Sequence, residues 1–104
     1  MRTQRDIDSF TLAFHRQAIA RLRRDRSLLD RAVATLDRWR AQRGATNSDP
    51  YFEEWRTLLE QGVDVLEGSV CTDSDHAAAL RNVSPLGFAL SPHERAALHR
   101  LAKA

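Results

Sequence analysis

The sequence predicts an all-α fold, a small helical bundle forming a single domain over residues 1–104. Three observations carry this. Apolar residues in the first forty positions recur every three to four residues. Gly and Pro fall at points that read as helix ends, and no stretch alternates apolar and polar residues as a half-buried strand does.

The first element is the longest. Ile7, Phe10, Phe14, Ala18, Leu22, Leu29, Ala32, Leu36 and Trp39 lie on or beside successive steps of 3.6 residues, and only the step at Asp25 is polar. No Gly or Pro falls between Asp6 and Gln42. The expectation is one long N-terminal helix of roughly 35 residues, about 50 Å by the helical rise. The competing arrangement breaks it near residues 24–27, with Ser27 capping a second helix and Asp30 at its third position. A continuous helix cannot bury its whole stripe in so small a domain, which points to a homodimer. Asp25 then either pairs across the subunit interface and sets register, or marks the break.

The segment GATNSDP, residues 44–50, ends this region: Gly44 suits a C-terminal cap, Asp49 an N-cap and Pro50 the first helical position. The next helix, YFEEWRTLLEQGVDVLEG, carries a stripe at Phe52, Trp55, Leu59, Val63, Leu66 and Val70, with Tyr51, Leu58 and Val65 beside it. Gly62 inside that helix costs about 1 kcal/mol relative to Ala. Thr72 or Asp73 is expected to cap a short third helix. Ser91-Pro92-His93-Glu94 has capping-box spacing with Pro at the first helical position, and Ala97, Leu98 and Leu101 form the expected buried side of the last helix.

Composition narrows the function classes. No basic-then-apolar leader and no apolar run near about 20 residues is present, so a cytoplasmic protein without a membrane partner is expected. The single Cys71 excludes an internal disulfide. Charge is segregated: residues 1–43 carry net +6, residues 44–79 net −7 and residues 80–104 net +3. Such blocks pair within the fold, pair between subunits, or attract a charged partner.

Catalytic and metal signals are weak. His93 and His99 do not share a helix face as a metal-binding i, i+4 pair does. Asp73-Ser74-Asp75-His76 lacks the glycine and distal glutamate of a calcium loop. No phosphate-binding glycine loop or nucleophile elbow occurs. Arg95 and His99 are separated by three residues, fewer than in the Arg-to-His motif of helical HEPN-type ribonucleases. The expectation is a non-enzymatic protein with no cofactor and no metal.

Binding signals are stronger. Arg16, Arg23, Arg24, Arg31 and Arg38, with Arg2 and Arg5, lie broadly opposite the apolar stripe and form a face able to follow the phosphates of DNA or RNA. The alternative is a solvated face, or one paired with the acidic middle segment. The loop SPLGFALS, residues 84–91, places Leu86, Phe88 and Leu90 between two Ser-Pro steps. These side chains either tuck between the last two helices or meet another protein, and Pro85 and Gly87 shape the loop in both cases.

Tyr51, Glu54, Trp55, Leu58 and Leu59, followed by Leu80, Arg81, Ser84, Pro85, Gly87, Leu90, Glu94 and Arg95, resemble a family of small bacterial helical proteins encoded beside nucleotidyltransferase-type toxins. The resemblance covers residues 51–95 and departs from the family pattern at Leu86 and Gly87-Phe88. It implies an antitoxin-like protein that covers or regulates a toxin, with Trp55, Arg81, Pro85, Leu86 and Phe88 as candidate partner-binding residues. An acidic second helix suits a basic, nucleotide-handling partner.

Overall fold

The computed structural model describes residues 4–44 and 46–102, with the backbone alone at residues 4–6 and 102. The described residues form six α-helices and one 3-10 turn, and no strand. The helices are α1 (Gln4–Arg24), α2 (Ser27–Arg43), α3 (Asp49–Gln61), α4 (Val63–Val70), α5 (Asp75–Asn82) and α6 (Pro92–Ala102), with the turn at Gly87–Ala89. The all-α expectation holds.

The N-terminal helix is long but not continuous over 35 residues: α1 ends at Arg24, inside the 24–27 segment where the competing arrangement puts the break. The chain breaks at Asp25 and Arg26, where the Asp25 carboxylate accepts the Ser27 N–H at 3.1 Å and the Ser27 hydroxyl at 2.6 Å. A short carboxylate competes with helical backbone bonding, and Asp25, rather than Ser27, supplies the capping oxygen. Both halves then bury their stripes inside the same chain: Phe14, Ala18, Ile19 and Leu22 from α1, Ala32 and Leu36 from α2. The case for a homodimer from an unburied 50 Å stripe lapses with the break. Asp25 is exposed beside that break and not on a buried face.

The second expected helix also divides. Gly62 adopts φ 106° and ψ 171°, a conformation open almost only to glycine, and separates α3 from α4. The change of direction buries Val63, Leu66 and Val70 but leaves Val65 exposed, so the secondary stripe of Tyr51, Leu58 and Val65 does not continue across it. Gly44 ends α2 at φ 68°, its N–H bonded to the Arg40 carbonyl. Helix α3 starts at Asp49 after Ser48, one residue before the expected start.

Ser74, instead of Thr72 or Asp73, caps α5 by accepting the Ala77 N–H at 3.1 Å. The α6 capping box is formed as expected: Ser91 Oγ accepts the Glu94 N–H at 3.1 Å and Glu94 Oε1 accepts the Ser91 N–H at 2.9 Å. Helix α1 lies at the centre, packed against α2, α4, α5 and α6, while α3 packs against α2, α4 and α5. Trp55, fully buried, ties α3 to α5 through its indole N–H on the Leu80 carbonyl at 2.8 Å.

The segregated charges meet within the fold. Arg23 of α1 pairs with Asp64 at 2.6 Å and Glu67 at 3.2 Å on α4. Arg40 of α2 pairs with Glu53 of α3, Arg56 of α3 pairs with Asp37 of α2, and Arg21 of α1 pairs with Glu94 of α6. These pairs are solvent-exposed and each contributes little stability, but together they favour one alignment of the helices.

Candidate interaction surface

The loop that opens α6 packs into its own protein. Leu86 has no exposed surface, Pro85 is fully buried, and Ala89 and Leu90 are buried beside them. Ser84 Oγ accepts the Leu86 N–H at 3.1 Å and holds the first bend. Phe88 is half-buried, with the Arg31 guanidinium of α2 stacked 4.4 Å from its ring centroid. Of the two arrangements open to the loop, tucking in is the one observed.

This relocates the candidate partner-binding residues. Trp55, Arg81, Pro85 and Leu86 lie in the interior and present almost no surface to another molecule, and Phe88 alone of that set is partly accessible. Arg81 is 5% exposed, and its Nη1 donates to the Val70 carbonyl at 2.6 Å and the Thr72 carbonyl at 2.9 Å. It thereby satisfies carbonyls at the C-terminal end of α4, which the helix itself leaves without donors.

The arginine stripe is split across two helices by the break at Asp25. Arg16, Arg24 and Arg38 are exposed without an ion pair to the described residues, whereas Arg23 is held by α4 acids and Arg31 by Phe88. Arg2 lies outside the described residues, as does the side chain of Arg5.

Two concavities flank α6. One is a groove of about 190 Å³ between α6 and α1, bordered by Gln17, Leu90, Glu94, Ala97, Leu98 and Leu101. Its wall is almost wholly apolar because positions 94, 97, 98 and 101 share one helical face. Leu101, expected on the buried side, is 72% exposed, and Ala97 and Leu98 are only half-buried. The cause is geometric: α6 rests on α1 through its other face, with His99 stacked on Phe10 at 3.7 Å and the Arg95 guanidinium 4.9 Å from the Phe14 ring centroid.

The other concavity, on that second face, is mixed, with Phe10 and Phe14 beside its polar groups. It holds about 200 Å³ between α1, the end of α5, the Ser84 loop and α6, and His15 and Arg81 are among its lining residues. His15 is buried, and since a carbonyl can only accept, its Nδ1 donates to the Thr11 carbonyl at 2.7 Å. Burial, partly offset by that bond, holds the imidazole pKa down to about 4, and the nearby Arg81 charge adds to the lowering. The sequence offered no signal for this residue beyond its place on the apolar side of α1.

Other reactive groups are quiet. Cys71 is half-buried and unpaired, and desolvation with the Glu67 charge raises its pKa, which keeps the thiol protonated. His76 Nε2 donates to the Glu54 carboxylate, at 2.7 Å to Oε2. No group of three or more His, Cys, Asp or Glu among the described residues is placed to hold a metal ion, and no described helix is long and apolar enough to cross a membrane. Comparison with protein-family models, with curated proteins and with solved structures finds no match for this chain.

Proposed function

We propose that this chain is a non-enzymatic protein-binding module, antitoxin-like in the sense implied by residues 51–95, which occludes or regulates a partner protein. The observation that carries the reading is the apolar groove along α6, where Leu101, Leu98 and Ala97 leave contiguous hydrocarbon in contact with water beside Leu90. The contact surface is thereby assigned to α6, with Phe88 as the accessible residue of the loop, and Trp55, Arg81, Pro85 and Leu86 acting as internal supports. Acidic side chains that keep much of their solvent contact, Asp64 at 88% and Glu60 at 65%, suit a basic partner of the nucleotidyltransferase-type toxin class.

Purification from the native host at low salt, with mass spectrometry and light scattering, tests this. The expected result is a stoichiometric protein partner that is lost in Leu101→Asp while the circular-dichroism spectrum is unchanged. A monomer that retains no protein overturns the reading, and a homodimer that survives Leu101→Asp moves the contact away from α6.

A second reading, a nucleic-acid-binding regulator, draws on the exposed Arg16, Arg24 and Arg38, which form no ion pair with the described residues. DNA or RNA binding that weakens steeply with salt, and weakens further when Arg24 and Arg38 are neutralised, is its expected signature.

A further inference from the structure

We infer that the cleft between α1, the end of α5 and α6 is a binding site for a phosphate group, with His15, Arg81 and Arg95 as its central residues. The first ground is charge. Arg81 and Arg95 both line the cleft and, among the described residues, no Asp or Glu does. A buried guanidinium is ordinarily matched by a carboxylate, but Arg81 meets only the carbonyls of Val70 and Thr72. An anion in the cleft supplies the missing charge.

The second ground is hydrogen-bond valence. His15 Nε2 and Arg81 Nε are buried and have no hydrogen-bond partner among the described residues. They are opposite in kind. Nδ1 of His15 carries its proton toward Thr11, so Nε2 is a bare acceptor, whereas Arg81 Nε–H is a donor. The ligand must therefore accept from guanidinium and also donate to imidazole. A phosphate carrying one proton does both: its bare oxygens accept, and its P–O–H donates to His15 Nε2. Its second ionisation lies near pH 6, so the protonated form is accessible at neutral pH. Carboxylate and sulfate offer the first property without the second.

The third ground is access. His15 and Arg81 form the buried floor, while Asn82 at the rim is exposed and Ser84 and Arg95 are half-exposed. Arg95 spends one donor on the Gly87 carbonyl and rests on the Phe14 ring, which fixes its plane and leaves other N–H groups of its fork to a ligand. This site stands apart from the apolar groove and does not depend on the protein-binding reading.

Titration with inorganic phosphate at constant ionic strength, read by calorimetry and by amide shifts at Asn82, Ser84 and Gly87, tests the site. One saturable site is expected, weakened about tenfold or more in Arg95→Gln and unchanged in Arg56→Gln on α3, which lines no part of the cleft. Sulfate and acetate bind more weakly than phosphate. A nucleoside monophosphate that binds more tightly than phosphate shows that the group arrives on a larger molecule, and equal affinity shows that free phosphate is the ligand; both support the site. Shifts that never saturate, an equal loss in Arg56→Gln, or sulfate binding as tightly as phosphate overturn it.

Discussion

The Trp55 indole N–H donates to the Leu80 carbonyl at 2.8 Å across the interior, joining the middle of α3 to the last turn of α5. The same carbonyl also accepts the Val83 N–H at 3.2 Å, so this bond anchors both a side chain and the end of a helix. Trp55→Phe removes the donor and leaves a cavity where no surface was exposed. A loss of about 2–4 kcal/mol in urea unfolding is expected.

At Gly62 the sign of a substitution distinguishes the fold from the simpler sequence expectation. In a continuous helix Gly→Ala stabilises by about 1 kcal/mol. At φ 106° and ψ 171° an alanine is strained although nothing lies within 4 Å of its added Cβ. Gly62→Ala is therefore expected to destabilise by about 1–3 kcal/mol, measured as a shift in the unfolding midpoint.

The break between α1 and α2 rests on one carboxylate. Asp25→Ala removes the acceptor of both Ser27 bonds and is expected to cost about 1 kcal/mol. Asp25→Asn, which keeps a capping oxygen, retains most of that stability. Thermal unfolding of the two variants side by side checks this.

His15 gives stability a defined pH dependence. Its folded pKa is about 4 against an ordinary 6.5, so between these values the unfolded chain binds a proton that the folded chain does not. Stability is thus full above pH 6.5 and falls as the pH is lowered toward 4, by a total of about 3 kcal/mol at 1.36 kcal/mol per unit. In His15→Leu this part of the slope disappears. Urea unfolding of both proteins at pH 7.5 and 4.5 measures the difference.

How much could be read from the sequence depended on how local the deciding contact is. The Ser91–Glu94 box and the Gly44 terminus were legible because each is settled within a few residues by groups that have no better local partner. Gly62 was not, because helical spacing of apolar residues runs straight through it and does not record the direction change, and at Asp25 the single polar step left both a continuous helix and a break open. Leu101 was misplaced because the face of its helix that packs carries Arg95 and His99, and that choice is made by Phe10 and Phe14, some ninety positions earlier. Arg81 was legible as a notable residue, but its direction is decided by the Val70 and Thr72 carbonyls, which meet it only after α4 turns into α5.

Helix α6 touches the rest of the bundle chiefly through α1, so α1, synthesised ahead of it, waits for α6. While the chain is emerging from the ribosome, Phe10 and Phe14 have α2 to α5 available on their other sides but no His99 or Arg95 to cover them. A nascent chain arrested before residue 92 therefore carries an unshielded aromatic pair, 6.3 Å between ring centroids, the kind of transiently exposed apolar surface that makes incomplete chains prone to aggregate. Completion of the final eleven-residue helix is the step that withdraws it.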